Sequence, residues 1–145
     1  MKIKTLLFLL LIFATTVAYA QEYEQAVGIR AGYSGGISYR KFFNAWYGGE
    51  VIAQYNRNGF QVAGLAEWQT APFKVDRLCL FSGGGIYAGN WDGQFAFGIT
   101  AVAGIEYVLR DLPLAVSFDY KPMLNLGKVL ALDPFDFAFS LRYTF

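Results

Sequence analysis

Apolar and polar residues alternate with a period of two along most of this chain. The closing ten residues carry the pattern most cleanly. Phe137, Phe139, Leu141, Tyr143 and Phe145 are large and apolar, while Asp136, Ala138, Ser140, Arg142 and Thr144 are small or polar. Successive side chains of a β-strand point to opposite faces, so the pattern predicts one apolar face and one small, polar face. The same beat runs through Val27 to Tyr33, Phe60 to Gln69, Ile99 to Leu109 and Leu114 to Lys121. Three further segments alternate less cleanly. Ile37 to Phe43 puts Ser38 and Arg40 on one face, Gly49 to Tyr55 does the same with Glu50 and Gln54, and Leu78 to Asn90 sets Tyr87 among inward glycines. The count of predicted strands is eight.

The breaks between these segments have turn chemistry. Ser34-Gly35-Gly36, Asn44-Ala45-Trp46, Asn58-Gly59, Ala71-Pro72, Asp92-Gly93 and Arg110 to Pro113 each separate a pair of strands. Asn-Gly and Asp-Gly tolerate the positive φ that tight hairpins need. The segment from Lys121-Pro122 to Pro134 reads as the longest connection.

The first twenty residues follow a different logic. A basic Met1-Lys2-Ile3-Lys4 precedes the apolar run Leu6 to Ala14, and Ala18-Tyr19-Ala20 supplies a small-x-small cleavage site. That is the pattern of an export signal, so residues 1–20 are expected to be removed and residues 21–145 to form the mature domain. The apolar run is too short for the ~20 residues of a spanning helix. No later uncharged stretch is long enough either, and the one between Arg77 and Asp92 contains Gly83-Gly84-Gly85.

Composition sharpens the problem this poses. The chain is 55% hydrophobic and 19% aromatic with only 16% charged residues, an apolar balance for something exported into water. A membrane location would force closure, because bilayers admit only helices and closed barrels. Eight tilted strands of about ten residues use roughly 80 residues and leave ordinary turns, whereas twelve would leave almost none. Polarity then favours a membrane barrel over a soluble one: the aromatic face points out, and single charges among Gly, Ala and Ser point in. The predicted fold is all-β, an eight-stranded antiparallel up-and-down transmembrane β-barrel.

With these features the chain resembles the small eight-stranded outer-membrane barrels of Gram-negative bacteria, of the OmpX and OmpA-transmembrane-domain type. The residues that carry the likeness are Phe139-Ser140-Leu141-Arg142-Tyr143-Thr144-Phe145, Ala26 to Tyr33 and Phe118-Asp119-Tyr120-Lys121-Pro122. The resemblance implies an outer-membrane location and a monomer surrounded by outer-membrane lipids and lipopolysaccharide. It also implies that Phe139, Leu141, Tyr143 and Phe145 form the sorting signal read by the barrel-assembly machinery. Both termini would be periplasmic, with outward loops centred on Gly35, Asn58, Asp92 and residues 123–133, and inward turns on Ala45, Pro72 and Asp111.

The residues that could carry chemistry are few. A net charge of +1, from Lys+Arg 12 and Asp+Glu 11, offers no footprint for nucleic acid. With His 0 there is no imidazole base and no His-ligated metal, and no metal cluster or cofactor motif is expected. Gly83-Gly84-Gly85-Ile86-Tyr87-Ala88 matches a loose phosphate-loop pattern, but no helix follows it, so glycine relieving lumen crowding is the better reading. The same inward face collects Arg30, Arg40, Lys121 and Arg142 with Glu50, Glu67, Glu106 and Asp119. A carboxylate pair could serve a glycosidase. Four bases against four acids in a narrow lumen instead predict a structural ion network, since buried charges persist when paired. Such a network would close the lumen, and the expected role is structural or one of surface interaction, without catalysis. Two other classes stay open: a narrow pore for small or hydrophobic solutes, and a soluble secreted lipocalin-like binding barrel.

Overall fold

The computed structural model describes residues 23–57, 59–71, 75, 77–127 and 130–145. Ten β-strands and no helix occur among them: β1 (Gln25–Gly32), β2 (Gly35–Phe42), β3 (Tyr47–Asn56), β4 (Gly59–Thr70), β5 (Leu78–Trp91), β6 (Gln94–Val108), β7 (Leu114–Tyr120), β8 (Met123–Asn125), β9 (Ala131–Asp133) and β10 (Phe137–Thr144). Each pairs antiparallel with its neighbour in sequence from β1 to β7, and β10 pairs with both β7 and β1. That last pairing, from Ala26↔Thr144 to Gly32↔Ala138, closes the sheet. The result is an eight-walled barrel, in which β8 prolongs β7 and β9 prolongs β10.

The export signal at residues 1–20 lies outside the described residues, as do Asn58 and Pro72. The expected connection between Lys121 and Pro134 needs correction, because two short paired strands lie within it. The register on β6 is continuous across Pro122: Ala103 faces Tyr120 and Thr100 faces Met123, three steps on each strand. Pro122 only removes a backbone donor, and its carbonyl still accepts from Ala101 N at 3.2 Å. On the return strand the spacing differs. Met123 faces Asp133 while Tyr120 faces Phe137, so residues 134–136 hold one residue more than the partner strand. This is a β-bulge, and it turns both Asp133 and Asp136 inward despite their odd separation.

The first turn also falls earlier than its glycines suggest. Gly35 and Gly36 belong to β2, leaving Tyr33 and Ser34 as the connection. Gly36 is needed for space: a Cβ there would collide with the carbonyl of Ala53 on β3. Asp92-Gly93 does behave as a tight hairpin turn, with φ of 51° and 81° between the paired Trp91 and Gln94.

The walls differ in height. Strands β1 and β2 have 8 residues each, whereas β5 and β6 have 14 and 15. The barrel rim is therefore raised where the β5–β6 and β8–β9 hairpins stand side by side.

Candidate functional site: the charged lumen

Alternation along each strand sends charged side chains into the barrel. All eight residues expected there are buried: Arg30 on β1, Arg40 on β2, Glu50 on β3, Glu67 on β4, Glu106 on β6, Asp119 on β7, Lys121 just after β7 and Arg142 on β10. They do not form one group. They fall into two clusters set at different depths.

The cluster nearer the termini centres on two arginines. Arg40 Nη2 lies 3.1 Å from Glu50 Oε2, its Nε 2.9 Å from Glu67 Oε2 and its Nη1 3.0 Å from Glu106 Oε2. Arg142 shares two of these acids, with Nη2 2.9 Å from Glu50 Oε1 and Nη1 3.1 Å from Glu106 Oε2. It also donates to Ser117 Oγ. The Arg40 guanidinium carbon sits 4.6 Å from the centroid of the Phe81 ring, which adds a cation–π contact. Three carboxylates face two guanidiniums here, and neutral donors add to the bonding of Glu106. Tyr23 donates its hydroxyl to Glu106 Oε1 at 2.8 Å, and Gln69 Nε2 donates to the same oxygen at 3.2 Å.

The second cluster lies toward the opposite rim. Arg30 Nη2 lies 2.7 Å from Asp119 Oδ1 and 3.3 Å from Asp136 Oδ1, and Lys121 Nζ lies 3.0 Å from Asp136 Oδ2. Ser34 donates to Asp136 Oδ1 at 2.7 Å, and Gln54 Nε2 to Asp136 Oδ2 at 3.4 Å. Gln54 reaches across to Met123 Sδ at 3.7 Å as well.

Several of these contacts are chords across the barrel. Walking round the wall, β2 and β6 stand opposite one another, and Arg40 on the first meets Glu106 on the second. Arg142 on β10 likewise reaches Glu50 on β3. Apolar side chains pack beside the charges. Ile52, Leu65, Phe81 and Val102 form one buried group, and Tyr23, Ala26, Phe42, Val108 and Ala115 form another.

Asp136 and Tyr23 were not among the expected network residues. Asp136 had a signal, since it extends the even-numbered inward set of the last strand. Tyr23 precedes the first strand, where no alternation assigns a face. The glycine run expected in the lumen is in the middle of β5, away from any turn. A Cβ on Gly85 would collide with the Gly64 carbonyl, so close strand packing explains it without a phosphate. Cys79 is buried in the same strand.

The four residues of the expected sorting signal all lie on the outer side. Phe139, Leu141 and Tyr143 are outward on β10, and Phe145 follows the strand, where its backbone bonds with Gln25. Comparison with known proteins finds no matching family model, no matching curated protein and no matching solved structure. The class of the molecule therefore rests on its own geometry: a closed eight-stranded antiparallel β-barrel with ion pairs bridging its interior.

Proposed function

We propose that this protein is an integral outer-membrane β-barrel with a structural or surface-interaction role, its lumen closed by the ion network and its chain without catalytic activity. The single observation that carries the reading is the polarity of the wall. On β10, Phe137, Phe139, Leu141 and Tyr143 are 44%, 62%, 43% and 52% exposed, while Ala138, Ser140 and Arg142 are 3% or less. The outer face continues with Ile29, Ile37, Val51, Ile86, Phe95, Phe97, Ile99 and Phe118. Water would be a poor solvent for so large a contiguous apolar surface, whereas hydrocarbon suits it. Closure alone fits a lipocalin-like barrel equally well, but such a barrel would carry its charges outside and its apolar residues within.

The chords support the reading of a closed lumen. An eight-stranded interior is just wide enough for side chains to fill. Separating any partner from these pairs leaves a buried charge unmet, at a cost of about 3–5 kcal/mol. The same bonding argues against chemistry. Ser117 is committed to Arg142, Glu50 and Glu106 are committed to guanidiniums, and the sequence has no histidine to serve as base. A pore for small solutes would need this network to open.

The test is reconstitution. Purified mature chain should fold spontaneously into phospholipid vesicles, run as a compact band on unheated gels, and shift on boiling. A chain that stays folded and monomeric in buffer without detergent or lipid would instead favour the soluble binding barrel.

A further inference from the structure

The raised section of the rim encloses a cavity that the ion network does not use. It has a volume of about 230 Å³ and lies between the β5–β6 and β8–β9 hairpins. Strand alternation explains its lining. Trp91 continues the inward set of Tyr87 and Gly89, Gln94 lies on the inward set with Ala96, and Asn125 on that with Lys121 and Met123. Asp92 stands at the tip of the turn between Trp91 and Gln94.

The polar groups of this cavity are uncommitted or aimed. Asp92 and Gln94 are exposed at its edge, and neither makes a side-chain hydrogen bond among the described residues. Asn125 is buried, and its Oδ1 accepts from Gly127 N at 3.0 Å, which leaves its amide nitrogen as a donor. Deeper on the same inward faces, the hydroxyl of Tyr87 and Oδ2 of Asp133 are buried without a partner. Neither of these residues lines the cavity, whose polar groups are those of Trp91, Asp92, Gln94 and Asn125.

The lining also selects the chemistry. Among the described residues no Lys or Arg lines the cavity, which disfavours phosphate and other anions. Two amides supply donors and acceptors together, a carboxylate supplies an acceptor, and an indole supplies an apolar plate. That set matches a ring bearing hydroxyls on its edges and C–H groups on its faces. The volume is below the roughly 300–1,000 Å³ of pockets for drug-sized ligands, so one ring is the right scale. We propose that the barrel mouth binds the ring of a neutral hexose, stacked on Trp91 and hydrogen-bonded by Asp92, Gln94 and Asn125. The inference does not depend on the membrane location, because the cavity would be the same in a soluble barrel.

Saturation-transfer NMR on the folded full-length mature chain tests it. The probes are methyl glucoside, methyl galactoside, N-acetylglucosamine and the oligosaccharide released from lipopolysaccharide, with choline and inorganic phosphate alongside. At least one neutral sugar should bind with a Kd of about millimolar order, and Trp91→Ala or Gln94→Ala should weaken it about tenfold or more. Phe97→Ala should leave binding unchanged, since Phe97 points outward from the same hairpin and does not line the cavity. Tighter binding of the released oligosaccharide than of the simple glycosides would assign the sugar to a lipid headgroup, and the reverse to a free glycan. No saturable signal from any sugar with a folded barrel would overturn the proposal. So would equal affinity in Trp91→Ala with its gel mobility intact, or binding of choline or phosphate in place of the sugars.

Discussion

The two faces of β10 are built from one eight-residue sequence and obey opposite rules. Outward, Phe137, Phe139, Leu141 and Tyr143 present large apolar surface, with Phe139 packed 4.8 Å from Phe118 on the next strand. Inward, Ser140 and Arg142 are buried, and Arg142 is tied to Glu50, Glu106 and Ser117. In water-soluble proteins the buried side is apolar and the charged side is wet. Here the inner contacts are specific and mutually dependent, whereas the outer contacts need only apolarity. Substitutions on the two faces should therefore fail for different reasons.

The largest effect is expected inside. Arg142→Ala strips Glu50 and Glu106 of a shared cation, and unfolding by urea in lipid vesicles should register a loss of about 3–5 kcal/mol. The same variant should admit ions. Wild-type protein in planar bilayers should show no sustained conductance, while Arg142→Ala or Glu106→Ala should show openings. Stable openings from the wild type would contradict a closed lumen.

Outside, Leu141→Arg sharpens the comparison. In a membrane wall a guanidinium at mid-depth costs about 2–4 kcal/mol. If this face met water, the change would stay within about 0.5 kcal/mol, as surface changes usually do. Urea titration in vesicles separates the two values.

A smaller inner effect belongs to Tyr23→Phe. Glu106 Oε1 would keep Gln69 but lose the Tyr23 hydroxyl at 2.8 Å, so a loss of about 1–3 kcal/mol is expected from the same titration. The smallest folding effect falls at the end of the chain. Removing Phe145 deletes few packed contacts, yet cell fractionation should show a greater loss of outer-membrane protein than Phe137→Ala causes. Equal or lesser loss would reduce the terminal aromatics to wall packing.

Most of the wall could be read in the sequence because alternation is a local property, and a strand keeps its faces wherever it pairs. The lumen charges were legible for the same reason. The hairpin of β8 and β9 was not, since Pro122 and Pro134 look like strand breaks although the beat continues across Pro122, and the bulge at residues 134–136 reverses its phase. Gly35-Gly36 misled in a second way. Glycine can mark a turn or a crowded strand, and only the approach of the Ala53 carbonyl to Gly36 tells them apart. The division of the charges into two clusters depends on strand tilt and register around the whole barrel, which no single segment encodes. The rim cavity depends on two hairpins distant in sequence, so its polar lining had no signature along the chain.

Fractionation of cells expressing the full chain tests the membrane reading most directly. The protein should pellet with outer membranes, resist extraction by carbonate and urea, and shift mobility on boiling after detergent release. Recovery of a folded barrel in the soluble periplasmic or secreted fraction would contradict it.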